Sequence, residues 1–202
     1  MPMFPLGAAF LPGTLLSLQV FEPRYRVLVQ DCLAMSQPEF GVVMIERGSE
    51  VGGGDLRSPV GAVARVLQVE ELPNGRIAVV AGIGRRIRVQ QWLPDNPYPY
   101  AAVEDWPDDG LAVVDPVALE SVAARCRRAA ELAAALGDGG VDPTVAISDD
   151  PSLATFQLAG LAPFADFDRY QVLCAPGAGE RLALLGELLE TVEDVLTFRM
   201  QR

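Results

Sequence analysis

The side chains able to do chemistry in this chain are carboxylates, guanidiniums, hydroxyls and three thiols. All sixteen basic residues are arginine; lysine and histidine are absent. Nucleophilic catalysis by Ser-His-Asp or Cys-His needs an imidazole base, and a Walker A loop needs a lysine to reach the β/γ-phosphates. A Ser-Lys dyad fails for the same reason. Zinc sites built on histidine are excluded, and Cys32, Cys126 and Cys174 lie too far apart to form a CxxC pair. Carboxylates remain. Asp108-Asp109 and Asp149-Asp150 are adjacent pairs in turn-rich stretches, where neighbours rarely converge on one substrate, and no Asp-Thr-Gly motif accompanies them. Caps and turns are the expected use of such aspartates. No catalytic residue, metal ligand or cofactor site is assigned, and the chain is expected not to be an enzyme.

Binding residues are the alternative. Arg85, Arg86 and Arg88 form a basic cluster with Trp92 nearby, the best candidate for contacting RNA. The formal charge of −11 opposes this, because non-specific nucleic-acid binding rests on neutralising phosphates. A solvated strand face is the plainer reading of the cluster. Glu46–Asp55 (ERGSEVGGGD) carries three consecutive glycines. Such a run can aim backbone N–H groups at an anion, yet Glu50 and Asp55 would repel phosphate, and a surface loop is expected. Phe4, Phe10, Leu11 and Phe21 lie near turns. They are candidates for a peptide-binding patch, with burial in the core as the competing role. Arg65 falls between Val63 and Leu67 on one strand face. If buried it needs a carboxylate, for which Glu22 and Glu46 are the candidates.

These residues must be held by a core, and half of the 202 residues are hydrophobic, enough for one large domain or two small ones. No apolar run approaches the roughly 20 residues of a membrane span. No basic region precedes an apolar segment at the start, so no signal peptide is expected. The scattered cysteines suit a reducing cytoplasm. Short strands are predicted at Met3–Leu6 and Leu15–Val20 around a Pro12-Gly13 turn. A helix should begin at Pro23, with Tyr25, Leu28, Val29, Cys32 and Leu33 on one face. Phe40–Glu46 reads as a strand covered on both faces. Val60–Leu72 leads into Pro73-Asn74-Gly75, a hairpin signal. The strand from Arg76 is interrupted by Gly82 and Gly84, which suggests a bulge or a barrel corner, and a last strand covers Tyr100–Trp106. Beyond about residue 110 the pattern turns helical: helices begin at Asp115-Pro116, at Asp150-Pro151 and after Asp166, and a last one spans Glu180–Arg199. The fold class expected is α+β, with a β-subdomain over residues 1–110 and a helical bundle over 111–202.

Four segments occur in an order that resembles the N-terminal, substrate-binding domain of Lon protease. They are Met3–Arg26, Val60-Gly61-Ala62-Val63-Ala64-Arg65, Glu71–Arg76, and Gly82-Ile83-Gly84-Arg85-Arg86-Ile87. The resemblance implies a PUA-like β pseudobarrel with one helix, followed by the helical bundle, as in stand-alone bacterial proteins of this type. It also implies non-catalytic binding of unfolded or extended polypeptide, with a protease or chaperone as a further partner. Exposed apolar surface and an unpaired strand edge would supply the grip. An RNA-binding module and a small-ligand sensor or adaptor are the alternatives.

Overall fold

A computed structural model describes residues 1–48, 54–73, 75–110 and 114–201. Most of the glycine run, Asn74 of the hairpin signal and Leu111 at the expected subdomain junction lie outside the described residues. The chain divides into two compact units, Met1–Pro107 and Asp108–Arg202. Strands dominate the first and helices make up the second, so the class is α+β.

In the first unit, β1 (Met3–Leu6), β2 (Leu15–Val20), β3 (Glu39–Arg47), β4 (Leu56–Glu71), β5 (Ile77–Leu93) and β6 (Tyr100–Asp105) form one mixed sheet, with α1 (Pro23–Leu33) after β2. The order is β1-β3-β4-β5-β2, and β6 also pairs with β5. β1 runs parallel to β3, and the other pairs are antiparallel. β5 is long enough to serve two neighbours: Ile77–Gly82 pairs with β2, and Ile87–Leu93 with β6. The bulge expected at Gly82 and Gly84 is found as a register shift within a continuous strand. Ala62 pairs with Arg86 but Ala64 with Ile83, so β5 carries an extra residue there.

Alternation explains the continuous apolar run of β3. Phe40 and Val42 point into the larger core with Phe4, Val20, Tyr25 and Leu28. Val43 points the other way, into a smaller cluster with Met3, Val63, Ile87 and Ala101. The helix α1 buries Tyr25, Leu28, Val29 and Cys32, as its spacing predicts, but Leu33, expected on the same face, ends the helix 47% exposed. The start of β1 meets the β6 end at an isolated bridge, Pro2 to Tyr100, flanked by hydrogen bonds from the Met3 N–H to the Pro99 carbonyl and from the Ala101 N–H to the Met1 carbonyl, and β1 and β2 are left as the two ends of the strand order. The sheet is not closed.

The helical unit contains α2 (Pro116–Ala135), α3 (Pro151–Leu161), α4 (Asp166–Cys174) and α5 (Ala178–Met200). Asp115 and Asp150 cap α2 and α3, their side chains accepting from the Val117 and Ser152 N–H groups. Each is followed by a proline whose missing N–H costs nothing in the first turn. Gly137 follows α2 at φ 80°, the left-handed conformation that glycine adopts without penalty. α2, α3 and α5 pack on one another, and Val122, Cys126, Phe156, Leu158, Leu185 and Leu189 of these helices are buried.

Candidate functional site

The open seam of the β-unit holds a concavity of ≈ 190 Å³. Its walls come from the two strands that end the sheet: Phe4 and Leu6 of β1, and Leu18 and Val20 of β2. The chain leaving β2 completes it with Phe21, Glu22 and Tyr25. The Phe4 and Tyr25 rings stack at 4.0 Å and 13° beneath it. Phe21 stands at its edge, 54% exposed, with the Arg76 guanidinium 5.9 Å from its ring centroid. Burial raises the Tyr25 phenol to about 12, so it stays neutral at ordinary pH. Glu22 accepts from Arg24 Nε at 3.1 Å, and Arg24 lies 4.5 Å over the Tyr25 ring.

Four apolar residues are candidates for a peptide-binding patch, and the structure brings two of them together here. Phe4 and Phe21 line the concavity. Leu11 is core, 1% exposed, and Phe10 packs against the core partly buried. The contributions of Leu18 and Tyr25 were not legible from sequence. The signal was their helical or alternating position next to Phe21, but only the strand order reveals that β1 and β2 face one gap.

The basic cluster is dispersed among different partners. Arg85 donates to both Glu39 oxygens, at 3.0 and 2.8 Å, and to Asp105 at 2.9 Å. Arg86 is only 4% exposed, which corrects the solvated-face expectation for it. Arg86 and Arg88 lie 4.5 and 4.0 Å from the Trp106 ring centroid, while Trp92 is stacked by Arg57 at 4.8 Å. Arg57 also joins Asp55 to Asp95, which gives Asp55 a structural partner. Arg65 is exposed and Glu22 is bonded to Arg24, so the expected Arg65–Glu22 tie is absent. Asp108 accepts from both terminal nitrogens of the buried Arg181. Sequence reading missed Arg181, although its spacing of four and eight residues from Leu185 and Leu189 sets it on the buried face of α5.

Among the described residues no cluster of His, Cys, Asp or Glu could hold a metal ion, and no helix is long and apolar enough to cross a membrane. The thiols of Cys32 and Cys126 are raised to about 12 by burial, which makes them poor nucleophiles.

These shifts fix a pH profile. Hydrogen bonds from Arg85, Arg125 and Arg199 hold Glu39, Glu193 and Asp138 below the usual carboxylate range. Their contribution is complete above the unfolded-chain values and is lost as pH falls through the lower folded ones. Cys32, Cys126 and Tyr25 have raised values, so their contribution is complete below the unfolded values and is lost as pH rises toward about 12. With no histidine, no side chain of ordinary pKa titrates in between. The partly buried Met1 amine is the exception, held below its ordinary value, and it makes stability rise with pH below about 8. Urea midpoints should therefore fall below about pH 5.5 and above about pH 8, with a single shallow rise in between that acetylation of the amine removes.

The family model of the ATP-dependent protease La (LON) substrate-binding domain matches residues 1–191. The chain is 28% identical over 204 residues to the Lon protease of Anaeromyxobacter dehalogenans, covering 97% of this chain and 24% of that protein. It is 33% identical over 132 residues to Lon protease 2 of Sorangium cellulosum, covering 63% of this chain and 16% of the relative. The chain thus spans about a quarter of the length of the first of these relatives or less. A crystal structure of a Lon N-terminal domain protein from Xanthomonas campestris superposes with a TM-score of 0.70 at 26% identity, over 92% of this chain and 95% of that one. The N-terminal domain of Mycobacterium avium complex Lon protease shares the fold, with a TM-score of 0.66 at 17% identity, over 94% and 97% of the two chains. An open mixed sheet, a helical unit and a match over nearly the whole length lead to one conclusion: this chain belongs to the family of the Lon protease substrate-binding domain.

Proposed function

We propose that the protein is a non-catalytic polypeptide-binding module that recognises unfolded or extended segments, as a substrate-recognition or adaptor part without ATPase or peptidase chemistry. The observation that carries this reading is the concavity at the open seam, which Phe4 and Phe21 both line beside Ser17, Gln19 and Glu22, in a chain of the substrate-binding family. We read the β-unit, residues 1–110, as a PUA-like pseudobarrel left open at that seam, and residues 111–202 as its helical companion. The protein acts in the cytoplasm, in keeping with its free cysteines, and a protease or chaperone would receive what it binds. The other readings have less support. Small-molecule sites usually enclose about 300–1,000 Å³, more than this concavity offers, and Arg85 is already engaged by two carboxylates.

The test uses the full chain with a reduced, carboxymethylated protein as the unfolded client. Fluorescence anisotropy should show saturable binding near micromolar, about −8 kcal/mol, with little binding of the native form of the same client. Casein should remain uncut with or without ATP. Equal affinity for native and unfolded client, or sustained cleavage, would refute the proposal.

A further inference from the structure

We infer that the seam takes its client by strand addition: an extended segment pairs with the free edge of β2 and seats one leucine- or phenylalanine-sized side chain over the Phe4–Tyr25 stack, with basic flanks preferred to acidic ones. This rests on the polypeptide-binding reading and specifies its mode and substrate class.

The hydrogen-bonding parity of β2 comes first. The Ile83 N–H donates to the Thr14 carbonyl, so Thr14 faces β5. In an antiparallel pair the facing residues alternate. Leu16, Leu18 and Val20 therefore face Ala81, Val79 and Ile77 of β5, and the N–H and C=O groups of Leu15, Ser17 and Gln19 point away from it. Those groups repeat every two residues, about 6.8 Å apart, the spacing of an extended backbone. A helix presents no such repeat.

The opposite wall cannot use them. On β1 the Met3 N–H already donates to the Pro99 carbonyl, and the next outward position is Pro5, which has no N–H. β1 is an edge blunted by proline. β2 carries neither proline nor charge in Leu15–Val20, and Leu15 at its start is 68% exposed. Edge strands are normally protected by such residues, so β2 keeps the features of an edge meant to be paired.

Size selects the side chain. An apolar cavity of about 150 Å³ accommodates a benzene ring, so ≈ 190 Å³ suits one bulky apolar group and not two. Charge selects the flanks. The one carboxylate lining the concavity, Glu22, is already paired with Arg24, so the preference rests on the overall charge of −11, which draws basic segments and repels acidic ones.

The experiment measures anisotropy of a labelled ten-residue peptide of alternating Val and Thr with a central Phe and Lys flanks, against the full chain. Central Phe→Ala should weaken binding at least tenfold. Exchange of Lys for Glu in the flanks should weaken it severalfold, with the gap closing at high salt. N-methylation of alternate amides in one frame should abolish binding, and in the other frame leave it unchanged. Ser17→Pro, which removes an outward N–H and no hydrogen bond to β5, should weaken binding at least tenfold, whereas Ser17→Ala, which removes only the hydroxyl, should not. If Ser17→Pro does not fold, the methylated peptides decide on the native chain. Equal tolerance of methylation in both frames would overturn strand addition, as would binding of the unfolded client without any binding of this peptide. In either case polypeptide binding itself survives; failure to bind either probe removes both. A dimer that Ser17→Pro dissociates, with no peptide binding, would make a second copy the occupant and overturn the proposal.

Discussion

Replacement of Arg181 by alanine is expected to lower the unfolding free energy of the helical unit by about 3–5 kcal/mol, the range for breaking a buried ion pair. The Arg181 side chain is fully buried. Its Nη1 and Nη2 donate to the two Asp108 oxygens at 2.8 and 2.6 Å, its Nε to Thr155 Oγ1 at 2.9 Å, and Nη2 also to the Ser152 carbonyl at 3.2 Å. The guanidinium carbon lies 3.8 Å from the Phe156 ring centroid. One side chain thus ties Asp108, at the start of the unit, to α3 and α5. Alanine leaves a cavity and strips the Asp108 carboxylate of its counter-charge, keeping only the Ser152 hydroxyl among these partners. Arg181→Lys should recover little, since an ammonium cannot reproduce the planar fork. A paired Arg181→Met, Asp108→Leu variant should recover most of the loss, because an apolar replacement of both charges removes their desolvation cost as well. Urea unfolding of the two single variants and the pair would measure the coupling. A loss under 1 kcal/mol for Arg181→Ala would mean that the pair contributes little.

The second large effect is expected at Gly61. It sits mid-strand in β4, opposite Val43 of β3 and Ile87 of β5. A Cβ there would run into the Val42 carbonyl oxygen and lie 2.7 Å from Val43 Cγ1. The first obstacle is backbone inside a ladder, which cannot swing aside as a side chain can. Gly61→Ala should cost about 3 kcal/mol, the upper part of the overpacking range, and Gly61→Val more. Gly41→Ala is the control: its Cβ would meet the Met3 sulfur at 2.5 Å, the end of a flexible side chain. It should be the milder of the two by urea midpoint, and equal losses would refute the backbone argument. Gly61 of the Val60-Gly61-Ala62 segment, one of those that resemble Lon, thus has a packing reason.

Much of the fold was legible because its signals are local. Asp-Pro pairs begin α2 and α3 because a carboxylate cap and a donor-free first turn act within four residues of sequence. The apolar run of β3 announced burial on both faces. Arg65 shows where local reading fails. Arg65 and Leu67 share a strand face with Val63 yet both are exposed, and the extra residue that β4 takes between Val66 and Gln68 then returns Val69 to the core side of Val66. Arg86 fails the other way. It reads as outward, but a register shift and the Trp106 ring cover it. Of the candidate site, Phe4 and Phe21 could be named in advance; their meeting could not.

Residue identity by itself settled which chemistry this protein can hold. A chain with arginine as its only base has no side chain that shuttles protons near neutrality and no lysine to grip a nucleotide phosphate. Tertiary structure alone decided that β1 lies parallel to β3, that β5 divides its length between β2 and β6, and that two strand ends are left facing a shared gap. Ionisation and donor capacity belong to single side chains, whereas strand pairing is a contest among distant segments, decided by register and shared burial that no local stretch encodes.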